Sequence, residues 1–161
     1  MLGKKTVVKY NDGKIVKGYT TDFNPNKDVF HVQLLGDYQE DEKVDEIEVK
    51  LENIKAVFFV KDFQGNKDYQ KVRTFDGYPS GTPSQRKIIV IFRDGENFYG
   101  TTHSYAADRK GFFVYPIDQQ DNNDRVFVSR NGLDKVHVKK FGTEDFDVYL
   151  YENWKRIWYN V

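Results

Sequence analysis

The sequence predicts an all-β fold: a tandem pair of small five-stranded β-barrels, followed by a C-terminal strand and a short helical tail. An internal duplication is the first observation behind this fold, because matched residues lie 82 positions apart, as Asp12 and Asp94 do. The offset falls to 79 after a shorter loop in the second copy, as from Ile47 to Val126. A register that survives a loop deletion is typical of a duplicated fold. The matched positions are Tyr10, Asp12-Gly13, Gly18, Thr20, Phe30, Val32, Ile47, Val49, Val57 and Phe59, and then Phe92, Asp94-Gly95, Gly100, Thr102, Phe112, Val114, Val126, Val128, Val136 and Val138.

The first copy, residues 1–61, opens with a predicted hairpin. Stretches rich in Val, Ile, Tyr and Thr flank Asn11-Asp12-Gly13, and an Asp-Gly pair supplies the positive backbone dihedrals of a tight turn. Apolar and polar residues then alternate from Val29 to Leu34, which indicates a strand with one buried face. The five strands are predicted at residues 6–10, 14–23, 29–34, 46–50 and 55–60.

The second copy, residues 87–141, repeats this scheme. A turn-like break before each fifth strand is typical of a small, strongly bent barrel of the SH3-like or Sm-like kind. Gly18 and Gly100 lie mid-strand at equivalent places, and a coiled second strand is the simplest cause, with a close backbone approach as the alternative. The strands are predicted at residues 87–92, 96–105, 111–116, 125–129 and 134–139. The alternation assigns Val8, Phe30, Val32, Val49 and Val57 to one core, and Val90, Phe112, Val114, Val128 and Val136 to the other.

Two segments lie outside the copies. Residues 62–86 form a linker whose prolines and glycines oppose regular structure, while its aromatic residues predict that it packs on the barrels. In the tail, residues 142–161, Phe146, Val148 and Leu150 alternate as in a strand. Apolar residues from Tyr151 onward follow a near-helical spacing.

Composition and charge exclude several classes of protein. Lys plus Arg equals Asp plus Glu at 25 each, so no overall field attracts nucleic acid or an anionic membrane. Cysteine is absent, which excludes disulfides and thiolate metal sites and fits a reducing compartment. No apolar run has the length of a signal peptide or a membrane span. We therefore expect a cytoplasmic protein that does not bind a membrane.

Catalytic and metal-binding constellations are not found in the sequence. His31, His103 and His137 are far apart and lack ligand spacing, so strand histidines explain them. The acidic stretch 37–48 could hold a hard cation or serve acid-base chemistry, but its composition is that of a solvated loop. No nucleophile elbow, phosphate-binding loop or dinucleotide fingerprint occurs. We expect no enzyme, no cofactor and no metal.

The tail carries the candidate partner site. Both tryptophans of the chain, Trp154 and Trp158, flank Lys155 and Arg156, and aromatic residues and arginine are enriched where proteins bind each other. We favour the interpretation that the tryptophans cap an open barrel end. If the tail projects outward instead, these residues form a site for a partner or for self-association into a homo-oligomer.

Several stretches resemble an uncharacterised bacterial tandem-domain family. They comprise residues 10–26, 92–96 and 111–116, and the distinctive Ala56-Val57-Phe58-Phe59-Val60-Lys61-Asp62-Phe63. The resemblance covers residues 5–140. Members of that family sometimes accompany PilZ domains or signalling modules, so the resemblance implies a place in signalling and no established activity.

A weaker resemblance is to Sm-like barrels, through the Asp-Gly turn and the glycine in the second strand. The Arg-Gly or Lys-Gly step of RNA-binding Sm proteins is replaced here by Asn53-Ile54-Lys55 and Gly132-Leu133-Asp134. The arginine pair and the serine motif by which PilZ domains bind cyclic dinucleotides are also missing. We therefore expect a non-enzymatic protein-interaction or regulatory module in bacterial signalling. Nucleic-acid binding by an Sm-like or OB-like barrel is the first alternative, and small-molecule binding or catalysis is the second.

Overall fold

The computed structural model describes residues 3–36, 45–65, 69–71, 73–76, 85–103, 105–118 and 120–151. These residues form eleven antiparallel strands and two short 3-10 helices, which confirms the all-β class. The 3-10 helices, Leu51–Asn53 and Arg130–Gly132, occupy the turn-like breaks that the sequence predicts. The strands are β1 Lys4–Tyr10, β2 Ile15–Thr20, β3 Val29–Leu34, β4 Glu46–Lys50, β5 Ile54–Val60, β6 Gln85–Phe92, β7 Asn97–His103, β8 Gly111–Pro116, β9 Asn123–Ser129, β10 Leu133–Lys139 and β11 Phe146–Leu150.

The two Asp-Gly turns have the backbone conformation that their sequence predicts. Gly13 has a φ of 95° and Gly95 a φ of 91°, in the left-handed region that glycine adopts without strain. The carboxylate of Asp12 accepts a hydrogen bond from the Lys14 amide at 2.9 Å. Asp94 accepts the equivalent bond from Glu96 at 3.0 Å. Aspartate thus stabilises both hairpins by bonding to the backbone two residues ahead.

All eleven strands belong to one open sheet, in the order β11-β10-β6-β7-β8-β9-β5-β1-β2-β3-β4. Antiparallel pairing of β5 with β9 joins the two halves, so a pair of separate closed barrels is not confirmed. The physical reason lies in β5, whose seven residues are all buried. A strand that is apolar on both faces cannot remain at the exposed edge of an isolated unit.

Each half nevertheless has the same internal order. The first five strands lie in the order β5-β1-β2-β3-β4, and the next five in the order β10-β6-β7-β8-β9. Hydrogen bonds recur at matched positions as well. Thr20 Oγ1 donates to the His31 carbonyl at 2.7 Å, and Thr102 Oγ1 donates to the Phe113 carbonyl at 2.9 Å. Likewise, the Asn11 side chain donates to the Ile54 carbonyl. At the matched position, the Arg93 side chain donates to the Leu133 carbonyl.

The apolar interior consists of two clusters, and all ten predicted core residues lie in the cluster expected of them. The clusters interlock at the junction of the two halves. Phe127 of β9 lies in the cluster of the first half, whereas Ala56, Phe58 and Val60 of β5 lie in that of the second. Each half therefore contributes side chains to the core of the other, in addition to the pairing of β5 with β9.

Gly18 and Gly100 allow the third strand of each half to approach closely. A methyl group at Gly18 would lie 2.0 Å from the Gln33 carbonyl oxygen, and one at Gly100 would lie 2.3 Å from that of Tyr115. Both distances are far below van der Waals contact. The close-approach alternative from the sequence therefore explains both glycines.

The tail begins with the strand that the alternation predicts. β11 pairs with β10 from Lys139↔Phe146 to Lys135↔Leu150, and so covers an edge of the sheet. Tyr151, which follows it, is 5% exposed and forms a hydrogen bond with Tyr105 through the two hydroxyl groups. Within the linker, the Phe75 ring stacks on Phe146 with ring centroids 6.2 Å apart.

Candidate functional site

The residues predicted to bind a partner, Trp154, Lys155, Arg156 and Trp158, lie outside the described residues, and so does acidic segment 37–44. The tail site therefore stays a prediction. Asp45, Glu46 and Glu48 of the acidic stretch are described, and they are solvent-exposed.

The three histidines lie on β3, β7 and β10 and form no common site. His31 Nδ1 lies 2.7 Å from Asp22 Oδ2, and this hydrogen bond raises the pKa of His31 above its usual value. His103 packs edge-to-face on Tyr115. Across the described ranges, no three histidine, aspartate or glutamate side chains come together as metal ligands.

A concave surface that the sequence analysis did not identify lies on the face of β1, β2 and β5 that is turned away from the core of the first half. Val7, Phe58 and Val60 form its apolar floor, and all three are nearly buried. Phe63, just after β5, forms one side. We name this surface, of about 260 Å³, the lysine groove because three lysines line it. They are Lys9, Lys17 and Lys71.

Local structure explains why the lysines share this face. Strand residues two apart point to the same side, and Val7 of β1 lies opposite Lys17 of β2, while Lys9 lies opposite Ile15. Val8 and Val16, between them, point into the core of the first half. Lys71 comes from the linker, so only the folded chain brings it to the two strands.

None of these three lysines forms an ion pair with a carboxylate in the part of the chain that the structure describes. Lys17 Nζ donates to the Phe63 carbonyl at 3.0 Å. Lys9 Nζ lies 4.7 Å from the centre of the Phe58 ring, and Lys71 Nζ lies 5.4 Å from that of Phe98. These contacts are with a carbonyl group and with rings, and the nearest described carboxylates, Glu96 and Asp94, act on Lys9 only at longer range than an ion pair.

Burial lowers the pKa of Lys9 below the ordinary 10.5, because the groove removes water from its ammonium group. The Glu96 carboxylate opposes this shift, and the positive charges of Lys55 and Lys71 add to it. A bound anion would replace the lost water and stabilise the charged form of Lys9.

Lys55 shows the contrasting, structural use of a lysine. Its side chain is 8% exposed, and Nζ lies 2.6 Å from Asp94 Oδ2 and 3.1 Å from Glu96 Oε1. Both carboxylates come from the hairpin between β6 and β7, so this cluster ties the first half to the second. Its charge is neutralised by these ion pairs within the protein, so Lys55 is not available to bind a ligand.

Sequence reasoning missed the lysine groove because the chain's charge is balanced overall. The signal that could have revealed it is the alternation of lysine with apolar residues on the outward face of β1 and β2. Lys5, Lys9 and Lys17 all fall on that face. Of the described acidic residues, Glu96 and Asp94 act electrostatically on Lys9, but both form their ion pairs with Lys55.

No helix within the described residues has the length and apolarity needed to span a membrane.

Comparison with known proteins gives a family but no relative of known structure or activity. No curated protein and no solved structure matches the chain significantly. A family model matches residues 2–140, which is most of the chain. The chain therefore belongs to the family of unknown function DUF6982.

Proposed function

We propose that this protein is a non-enzymatic, cytoplasmic binding module whose lysine groove takes an acidic segment of a partner protein. The observation that carries the proposal is the set of three lysines, unpaired with described carboxylates, around an apolar floor. The chain has no net charge, so this local concentration of positive charge differs from the average of its surface.

The groove has the anatomy of a protein-binding surface. Such surfaces have an apolar centre and a polar rim, and the floor of Val7, Phe58 and Val60 with its surrounding lysines follows that pattern. An apolar side chain of the partner would cover the floor, and flanking Asp or Glu residues would meet the lysines. Positive charge at the rim also increases the rate of association with an acidic partner.

Nucleic-acid binding is the second candidate, and the lysines favour it too. A single strand needs exposed rings on which bases stack. Phe58 is 4% exposed, and Phe63 makes an edge-to-face contact with Tyr19 at 5.3 Å between ring centroids. Of the two rings that line the groove, only Phe63 is partly exposed, so successive bases lack rings to stack on and the groove suits a peptide better than a nucleic acid.

We further propose that the two halves are duplicated SH3-like or Sm-like barrels. Their shared strand order and the recurring hydrogen bonds support this interpretation. Folds of these kinds host many unrelated functions, so the proposed regulatory role in signalling rests on the lysine groove and not on the barrel fold.

Fluorescence anisotropy with two labelled probes tests the function. One probe is a twelve-residue peptide that alternates Glu with Leu, and the other is a single-stranded oligonucleotide. We expect the peptide to bind more tightly at about 150 mM salt and more weakly as salt increases. The triple variant Lys9→Gln, Lys17→Gln, Lys71→Gln should weaken peptide binding by about tenfold or more.

A charge-matched control separates the groove from general attraction. Lys4→Gln, Lys50→Gln, Lys140→Gln removes the same charge from exposed positions outside the groove. We expect it to change peptide affinity less than about twofold. Equal losses in both triple variants would contradict the groove as the site. Submicromolar oligonucleotide binding with a steep salt dependence would favour the second candidate instead.

A further inference from the structure

We propose that a second cavity, which we name the seam pocket, binds a purine nucleotide. It has a volume of about 560 Å³ and lies where the β2–β3 turn of the first half meets β8 of the second. Its size falls within the range of small-molecule sites in proteins. It shares no lining residue with the lysine groove, so it is independent of the function proposed above.

The floor and one wall of the seam pocket are aromatic. Phe127 is fully buried at the bottom, and Phe113 lies beside it with ring centroids 5.4 Å apart. Tyr115, two residues along β8, continues this face, and His103 packs on it edge-to-face at 5.4 Å. A flat ring system is the ligand shape that such a surface accommodates best.

The rim of the seam pocket is polar and carries both charges. Arg109 and Lys110 supply cations, and Asp108 and Asn26 supply hydrogen-bond acceptors. Lys110 forms an ion pair with Asp28 of the first half. The Arg109 guanidinium forms no hydrogen bond or ion pair with the other described residues, so it remains available for a phosphate.

The backbone around this rim is held in place before any ligand binds. Arg130 donates to the Ala107 carbonyl at 3.2 Å and to that of Asp108 at 3.4 Å. The Arg130 amide donates to the Lys110 carbonyl at 3.0 Å. Such bracing lowers the entropy that a ligand must remove on binding.

A purine nucleotide satisfies all three groups of contacts at once. Its base would lie on Tyr115, because the Phe113 ring already contacts Phe127 at 5.4 Å and the Arg125 guanidinium at 4.4 Å. Its phosphate would meet Arg109. Asp108 can accept hydrogen bonds from the N–H groups on the edge of a guanine. A free phosphate would contact Arg109 but neither the aromatic wall nor the Asp108 carboxylate, so it fits the pocket less well than a nucleotide.

Isothermal titration calorimetry with GMP, guanosine and inorganic phosphate tests the proposal on the full chain. We expect GMP to bind with one site per chain, more tightly than guanosine or phosphate. Arg109→Ala should weaken GMP by about tenfold and leave guanosine unchanged, whereas Tyr115→Ala should weaken both. Lys140→Ala, which removes a charge from the β10–β11 turn, serves as the matched control and should change neither.

The proposal fails if GMP shows no binding at concentrations up to about 1 mM. It also fails if phosphate binds as tightly as GMP, or if Lys140→Ala reduces binding as much as Arg109→Ala. The Lys9, Lys17, Lys71 triple variant should bind GMP normally, so failure of the groove proposal would leave this result unchanged.

Discussion

Substitution of Gly18 by alanine tests how closely the second and third strands of the first half approach. The added methyl group would lie 2.0 Å from the Gln33 carbonyl oxygen, whereas side-chain carbons in real proteins stay beyond 3.0 Å. The two strands must therefore separate by about 1 Å, which disturbs their hydrogen bonds. At Gly100 the same change meets the Tyr115 oxygen at 2.3 Å and requires a smaller movement.

The magnitude follows from the cost of overpacking. Extra atoms in a well-packed site cost about 1 to 3 kcal/mol, and we place Gly18→Ala toward the upper end and Gly100→Ala below it. The loss of glycine's freedom in the unfolded chain offsets roughly 0.4 to 1 kcal/mol of this cost. For a chain of this length, each kcal/mol corresponds to a change in Tm of about 2 to 4 °C.

Thermal unfolding followed by circular dichroism measures the effect, with Gly36→Ala as the matched control. Gly36 has no positive φ, and a methyl group there would have no neighbour within 4 Å among the residues that the structure describes. We expect Gly36→Ala to leave Tm unchanged or raise it slightly. If Gly18→Ala unfolds at the same temperature as Gly36→Ala, the close approach of the two strands is refuted.

Three further predictions concern the cores, the tail and a histidine. Phe30→Ala or Phe112→Ala leaves a cavity in one core and lowers the free energy of unfolding by about 3 to 5 kcal/mol, measured by denaturant titration. Deletion of residues 143–161 removes β11 and uncovers β10, so Tm should fall; an unchanged Tm with a dimer converted to a monomer in light scattering would contradict this. In NMR titrations His31 should have a midpoint above 6.5, and Asp22→Asn should lower it, because the Asp22 hydrogen bond raises the pKa of His31. A raised folded-state pKa means that this contribution to stability is complete below pH 6.5 and is lost as pH rises through the higher folded-state value. Identical midpoints in both proteins would argue against the contact.

Strands and cores could be predicted from local pattern because they depend on neighbours in sequence. Alternation around Phe30 and Phe112 placed both residues in their cores, and the Asp-Gly turns fixed the hairpins. The joining of the two halves into one sheet was not predicted, although the apolar run Ile54–Val60 indicates it. A nearly continuous apolar run of this length is typical of a strand buried on both faces.

The candidate sites depend on contacts that no local pattern contains. Lys9 and Lys71 are far apart in sequence and line one surface only because the folded chain brings Lys71 of the linker to β1. Likewise Asn26 and Tyr115 belong to different halves and meet only when β5 pairs with β9. The sequence predicts the parts of each half, whereas the sites arise from the way the halves and linker pack.

The Glu48 carboxylate on β4, the strand at one end of the sheet, bears on whether the sheet can extend from one molecule to the next. β4 and β9 occupy the same place in their halves, and the outer side of β9 accepts β5 through Val126, Phe127 and Val128. The matching residues of β4 are Ile47, Glu48 and Val49, so a carboxylate stands where β9 has its buried phenylalanine. A head-to-tail joint of this kind, repeated between molecules, would produce a ring if its rotation closes and a fibre if it does not. Glu48 disfavours such a joint at β4, and β11 already covers β10, the counterpart of β5 in the second half.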